Sequence, residues 1–439
     1  MRIDYETIGA LADEIGCRRD DLFALSPSND PFYVQRPSRK AEAEWFAGLW
    51  QSLGFKAGSH PRRLHYTILS QDPPILKANG KPYLNTENDW KTLLTASLSA
   101  RYMRIIPDGA LADHRNDPPI LNTSNPGTQK PWVDLQNEYG AGLDEDLPDR
   151  EVSPPWLYVS DLIVAQPYLV EVWVEKSTQN DILVLLAQRL EFNLVCGTGE
   201  TSEILARQAV ERAISDGRPM RILYVSDFDP GGRSMPVALA RKIEFWIREA
   251  ELDLDVTLDP IVLTPEQCER YRLPRTPLKE TERRAAKFEQ RFGEGATELD
   301  ALEALHPGEL AKIVKSEVCR YIDTTLSSRV SKAYWPYWRE VQRVEKEVLE
   351  NYDIADLQRR YDVAKHDFGA EVEALEEETR QLWPQIAQDL QARAPAFDPE
   401  DMPEPRPATP PGEPLFDSSR SYLDQIDIYR RWQGRGGTK

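Results

Sequence analysis

Residues 221–232 read RILYVSDFDPGG. Arg221–Ser226 is an apolar run of strand length, Asp227 and Asp229 follow at its end, and Gly231-Gly232 leads into a segment of helix length at 233–250. Three further strand-like runs stand at Tyr168–Val174, Asn193–Cys196 and Val256–Leu263, with helix-length segments at 177–190 and 202–215 between them. Strand and helix in alternation predict an α/β domain, a mostly parallel sheet with crossover helices. Such sheets carry their chemistry at the carboxyl ends of the strands.

Glu175 lies at the end of the first of these strands, in EVWVEKS (171–177). The first and third strand ends share one edge of a parallel sheet, so Glu175, Asp227 and Asp229 can converge. Asp227 and Asp229 also share a side by the two-residue period of an extended chain. Hard cations take oxygen ligands, which makes this trio a candidate site for Mg²⁺, with Mn²⁺ as a substitute. Gly231-Gly232 leaves room for a phosphate or metal beside the backbone. The competing reading is that these acids cap helices. Asp-x-Asp also occurs at Asp144/Asp146 and Asp253/Asp255, where solvated surface is expected.

Upstream, Trp45, Phe46, Leu49, Trp50 and Leu53 recur at helical spacing, RRLHYTIL (62–69) reads as a second helix, and 88–103 as a third. Between the last two, ILKANGKPYLN (75–85) holds an Asn-Gly turn of the hairpin kind. Two helices, a hairpin and a helix suggest a winged-helix-like module, a common nucleic-acid reader. The chain as a whole carries 54 Lys and Arg against 73 Asp and Glu, a formal net charge of −19. Residues 36–63 run the other way, with Arg36, Arg39, Lys40, Lys56, Arg62 and Arg63 against Glu42 and Glu44. These cations are candidate phosphate contacts on an otherwise acidic body, and Arg233, just after the glycine pair, is another.

A glutamate ending the first strand and Asp-x-Asp-x-x-Gly after the third resemble a Toprim domain. Arg62-Arg63-Leu64-His65-Tyr66 is similar to the Arg-x-x-Tyr-Tyr signature of topoisomerase VI A subunits and meiotic double-strand-break enzymes, with Arg62 and Tyr66 on the arginine and the second tyrosine. Glu298-Leu299-Asp300-Ala301-Leu302 resembles the Glu-x-x-Ala-Leu stretch that follows the Toprim sheet in those proteins. The resemblance spans about 40–325. His65 replaces the first tyrosine of the signature and reads as a structural histidine. The resemblance implies a homodimeric, Mg²⁺-dependent enzyme cleaving duplex DNA, with Glu175, Asp227 and Asp229 as metal ligands. It implies Tyr66 as nucleophile, with Arg62 beside it, and DNA contacts from Arg36, Arg39, Lys40, Arg63 and Arg233. No ATPase signature is present, so a topoisomerase reading calls for a separate ATP-driven subunit. Two alternatives stand beside it. One is a Toprim nuclease using metal-activated water, as in plasmid-defence condensin systems. The other is an inert DNA-binding or assembly subunit, in which Tyr66 is core packing.

The expected organisation is an N-terminal helical segment at 1–35, the winged-helix-like domain at 36–115, and a linker or excursion at 116–167 rich in Pro, Asn, Gly and Asp. A Toprim domain with a C-terminal extension follows at 168–330, then long helices at 331–392. From 393 to 439 a disordered acidic, Pro-rich tail is expected, with a basic, aromatic end that could act as a contact motif. CGTGETS (196–202) reads as a turn into a helix, and Asp113, His114 and Arg115 form a charged cluster without an assigned role. No apolar run approaches the roughly 20 residues that span a bilayer. The opening residues mix acids into their apolar positions, unlike a secretory signal. Four scattered cysteines, Cys17, Cys196, Cys268 and Cys319, suit neither a disulfide framework nor a zinc knuckle, and a reducing, cytoplasmic setting is expected.

Overall fold

A computed structural model of the protein describes residues 3–27, 29–107, 109–111, 116–136, 152–197, 202–365, 369–396, 402–406 and 412–434. Asp144/Asp146 and the cluster 113–115 lie outside them. In chain order the helices are α1 (Tyr5–Ile15), α2 (Pro37–Ser52), α3 (Pro61–Leu69), α4 (Glu87–Tyr102), α5 (Asn180–Leu190), α6 (Glu203–Asp216), α7 (Pro230–Glu249), α8 (Pro265–Arg270), α9 (Ala285–Phe292), α10 (Leu299–Leu305), α11 (Glu309–Val318), α12 (Leu326–Leu349), α13 (Ile354–Ala364), α14 (Ala370–Arg393) and α15 (Tyr422–Trp432). The strands are β1 (Val133–Gln136), β2 (Trp156–Val159), β3 (Leu169–Val174), β4 (Asn193–Cys196), β5 (Met220–Val225), β6 (Val256–Val262) and β7 (Phe416–Asp417). The chain divides into two compact units, one built from 1–125, 167–322 and 407–439, the other from 126–166 and 323–406.

The fold of the first unit is mixed α/β. Its five-stranded sheet runs β4-β3-β5-β6-β7, parallel except for the short β7, which is antiparallel to β6. Every residue of β3 and β4 is buried, as strands covered on both faces should be. Side chains alternate between two cores. Leu169, Trp173, Ile222, Tyr224 and Leu258 pack with α6, α7 and the N-terminal segment. Val170, Val172, Val174, Leu223 and Val225 pack with α5 and α11 on the other face. From β3 the chain steps outward to β4, then returns across β3 to β5. The carboxyl ends of β3 and β5 therefore flank a topological switch point, where α/β sheets open a crevice.

Helices α2, α3 and α4 gather Phe46, Leu49, Trp50, Leu64, Ile68 and Leu93 into a further core of this unit. The Asn-Gly hairpin forms as a tight reversal, with Leu76 bridging Pro82 and Gly80 at φ 76°, without extended strands. Residues 116–125 return to the sheet edge, where Ile120 and Leu194 exchange backbone hydrogen bonds of 2.8 and 2.9 Å.

The disordered tail expected at 393–439 is corrected by the structure in its last part. Residues 412–434 hold β7 and α15, and Leu415, Phe416, Tyr422, Ile426 and Tyr429 are buried in the first core. Their apolar spacing continues a helix period that the neighbouring proline-rich run obscures. The tail is held by a buried polar hub. The Arg241 guanidinium on α7, fully buried, meets both carboxylate oxygens of Asp30 at 3.2 and 3.1 Å and Glu244 at 2.9 Å. It also donates to the Tyr422 hydroxyl at 2.5 Å, and that hydroxyl donates to the Leu22 carbonyl at 2.9 Å. Burial acts to lower the affinity of this arginine for its proton; Asp30, Tyr422 and Glu244 outweigh it and hold the group well above its ordinary value.

In the second unit β1 and β2 pair antiparallel, so the segment expected as a linker contributes a small sheet. Leu157 from β2 joins Val341, Val344, Val348, Leu357, Tyr361 and Leu375 of α12–α14 in one core. Pro336 and Pro384 lie inside α12 and α14. Among the described residues no helix is long and apolar enough to cross a membrane.

Two measurements follow from this packing. Arg241→Ala leaves Asp30 and Glu244 charged and buried without their cation, and should lower the stability of the first unit by about 3–5 kcal/mol in urea unfolding. Asp259 on β6 is pushed up to about 7, first by burial and then by Glu317, against a Leu415 N–H and Arg420. Its ordinary value is 3.8, so between the two the folded state holds the extra proton and stability falls as pH rises. Asp259→Asn should therefore be the more stable protein at pH 8, by on the order of 1–2 kcal/mol, with the gap closing at pH 5.

Candidate functional site at the strand ends

Strands β3 and β5 deliver Glu175 and Asp227 to the switch point side by side. Glu175 Oε2 accepts the Asp227 backbone N–H at 3.3 Å, and both side chains are buried. The Asp227 carboxylate itself accepts two hydrogen bonds, from the Leu299 N–H at 2.8 Å and from Lys176 Nζ at 2.5 Å. Asp229 is the N-cap of α7 and takes the Gly232 N–H at 2.6 Å.

The loop between the two aspartates is clamped. Phe228 exchanges backbone hydrogen bonds with Thr297 at 2.8 and 3.0 Å, and Ser226 does the same with Val262 and Leu263 on the β6 side. The segment singled out by its Glu-x-x-Ala-Leu spacing supports the acids from behind. Its Leu299 N–H fixes Asp227, while Leu299 and Leu302 are buried in the core. Asp300 accepts from Gln179, tying α10 to the turn after β3.

Electrostatics at this edge follow from crowding. Glu175 is pushed up to about 7 by burial and by the charges of Asp227 and Asp229, against the Asp227 N–H and Lys176. For Lys176 burial acts downward; the Asp227 hydrogen bond and the charges of Glu175 and Glu298 outweigh it and hold the ammonium above its ordinary value. Lys176 is the residue that sequence reasoning passed over, although it stands directly after Glu175 at a strand end.

The glycine pair serves a different purpose from the one expected. A Cβ on Gly232 would lie 2.0 Å from the Asp227 carbonyl oxygen, so the space is filled by the protein's own backbone and not left open for a ligand. On Gly231 the nearest atom is the Asp229 carboxylate oxygen at 3.1 Å.

Tyr66 stands on α3, 59% exposed, with its ring edge-to-face on His65 at 5.2 Å. His65 is buried between Tyr83 at 2.6 Å and Asn85 at 3.2 Å, the structural role expected of it. Arg62 lies over the Trp90 ring at 5.5 Å. Among the described residues no hydrogen bond or ion pair joins Tyr66 or Arg62 to the carboxylates. Arg36, Lys40 and Arg63 are exposed at the starts of α2 and α3, and Arg39 pairs with Glu42 at 3.6 Å. Arg233 differs from them: it is half-buried, with its guanidinium 3.4 Å from the Trp432 ring centre and 5.3 Å from that of Phe292. After β4, the Gly197 N–H bonds the Val174 carbonyl at 2.8 Å and Ser202 caps α6; residues 198–201, the middle of the expected turn, lie outside the described residues.

The donor set of Glu175, Asp227 and Asp229 is all carboxylate oxygen, the set a hard dication takes; burial and then the charges of Asp227 and Asp229 raise Glu175, and a bound dication offsets both. Each carboxylate keeps acceptor capacity beyond the N–H groups that it already holds. Among the described residues no three His, Cys, Asp or Glu side chains already stand together as a cation cage. Lys176 is the cation that Asp227 holds. No protein-family model matches the chain, and no curated protein matches it.

Gly232→Ala should cost about 1–3 kcal/mol or more, because the new methyl must displace a backbone carbonyl. Gly231→Ala meets only a side-chain oxygen and should cost far less. Thermal unfolding of the two variants side by side checks the difference.

Proposed function

We propose that the protein is a metal-dependent enzyme cleaving duplex DNA, a Toprim protein resembling topoisomerase VI A subunits. One observation carries the reading: Glu175 and Asp227 meet in one hydrogen-bonded network at the switch point of a parallel sheet, with Asp229 charging the same edge. Glu175, Asp227 and Asp229 would hold Mg²⁺ or Mn²⁺, which when bound offsets the charge that builds on a scissile phosphate. The N-terminal helices act as the winged-helix-like module, and Arg36, Arg39, Lys40 and Arg63 hold the DNA backbone without reading sequence. Arg233 was expected among these contacts; its half-buried stack on Trp432 makes it a different kind of site.

In this reading the chain works as a homodimer, and Tyr66 of one protomer attacks at the carboxylates of the other. Its phenol oxygen bonds to phosphorus as the bond to the 3′ oxygen breaks. The phenolic proton is given up, the 3′ oxygen gains one, and a 5′-phosphotyrosyl link remains. Tyr66 is suited to reach another molecule by its exposure. A separate ATP-driven subunit completes the machine if it passes strands. The nuclease reading, with water as nucleophile, draws on the lack, among the described residues, of a hydrogen bond between Tyr66 and the carboxylates, since water needs no second protomer.

Supercoiled plasmid incubated with the chain and Mg²⁺, then resolved with and without protease, tests both. Asp227→Asn should abolish cleavage with the fold intact by melting temperature; cleavage at the parental rate would remove the metal assignment. Tyr66→Phe should abolish cleavage and the protease-sensitive DNA adduct together. Full cleavage by that variant would exchange the tyrosine mechanism for the nuclease.

A further inference from the structure

A cavity of about 380 Å³ lies in the first unit between the start of α7, α9, the loop at 24–29 and the end of α15. Its wall contains none of the three carboxylates of the strand-end site. It is of the size class that holds small ligands. Among the described residues, four cationic side chains line it, Arg233, Arg284, Lys287 and Arg291, and no Asp or Glu does. Three of the four follow from ERRAAKFEQR (282–291), where 284, 287 and 291 recur at three and four, so that Lys287 and Arg291 on α9 and Arg284 at its N-cap lie on one side.

What these cations already bind does not neutralise the cavity. Arg284 is paired by Glu282, at 2.8 and 2.9 Å, and also reaches the Ser234 hydroxyl. Arg291 donates to the carbonyl oxygens of Trp432 at 2.9 Å and Arg431 at 3.3 Å, dipoles that fix its place and leave its charge uncompensated. Arg233 is stacked on Trp432, and its buried Nε has no hydrogen-bond partner. Burial, and then the facing Arg291 charge, depress the Arg233 guanidinium to about 10 against the opposing charge of Glu266. The guanidinium of Arg233 therefore lines the cavity with a hydrogen-bonding capacity that the protein itself does not use up.

We propose that this cavity binds a phosphate monoester the size of a mononucleotide. Guanidinium groups match phosphate oxygens in geometry and charge, and the Trp432, Phe288 and Phe292 rings give the organic part an apolar wall. The monoester is either a free nucleotide or the 5′-terminal phosphate of a strand. The inference is independent of the DNA-cleavage reading.

Isothermal titration of the full chain without divalent metal tests it, using AMP, a 5′-phosphorylated tetranucleotide, the same tetranucleotide with a 5′-hydroxyl, and adenosine. Saturable 1:1 binding of AMP is expected, with adenosine and the 5′-hydroxyl strand silent. Affinity should fall at least tenfold in Arg233→Met and at least severalfold in Lys287→Ala, while Arg233→Lys retains part of it. Lys287 is exposed, so its variant keeps the fold even if loss of the Trp432 stack loosens α15; the melting temperature of each free variant verifies this. Binding of the phosphorylated strand as well as AMP assigns the strand end, and binding of AMP alone assigns the free nucleotide. Absence of saturation by every phosphorylated probe at about 1 mM, equal binding of adenosine, or unchanged affinity in both Arg233→Met and Lys287→Ala would overturn the proposal.

Discussion

The guanidinium of Arg241 is the constraint on which the rest of the first unit depends. A charge with no solvent exposure is tolerable only when fully paired, so Asp30, Glu244 and the Tyr422 hydroxyl must each arrive in place. Asp30 in turn accepts the backbone N–H groups of Ala24, Leu25 and Phe32, each at 3.1 Å, which shapes the loop before α2. Glu244 passes the connection to Arg248 and Tyr429. One side chain on α7 therefore fixes the N-terminal loop and α15 against the sheet, and α7 is the helix whose first turn Asp229 caps.

Charge in this protein is sorted rather than averaged. The first turns of α7 separate an acidic place from a basic one: Glu175, Asp227 and Asp229 lie at the strand ends, while Arg233 turns toward α9 and the end of α15. The strand-end acids are held close together by backbone N–H groups and one lysine, which limits how far repulsion can spread them. Gly232 is part of the same economy of space, since only hydrogen fits beside the Asp227 carbonyl.

The sheet was legible because its central strands are short apolar runs bounded by helices, and β3 and β5 fall within a residue of the runs at 168–174 and 221–226. Glu175 and Asp227 were legible as neighbours for the same reason, since parallel strands place their ends together whatever the side chains are. Asp229 was legible only as an acid: its hydrogen bond makes it a cap, one of the two readings open to it. Lys176 was not found because a lone lysine after a strand is no signal until its neighbour's carboxylate is known. The burial of α15 escaped notice for a compositional reason, as Tyr422, Ile426 and Tyr429 follow directly on a proline-rich run. In the second unit the long helices expected at 331–392 correspond to α12–α14, but their union with β1–β2 was not legible, because the two meet across more than a hundred residues of intervening chain and no local periodicity records that pairing.

The position of β7 and α15 has a consequence for biosynthesis. Emerging from the ribosome in order, residues 1–322 supply the four parallel strands and most of their helices, yet the outer edge of β6 has no partner and Arg241 lacks its tyrosine. Both wait for residues 415–432. A nascent chain of this protein therefore carries an open sheet edge and an incompletely paired buried charge through the translation of about ninety further residues, an interval in which wrong edge-to-edge pairing is the chief hazard. Completion of the domain is set by the arrival of β7 and α15 rather than by the appearance of its core.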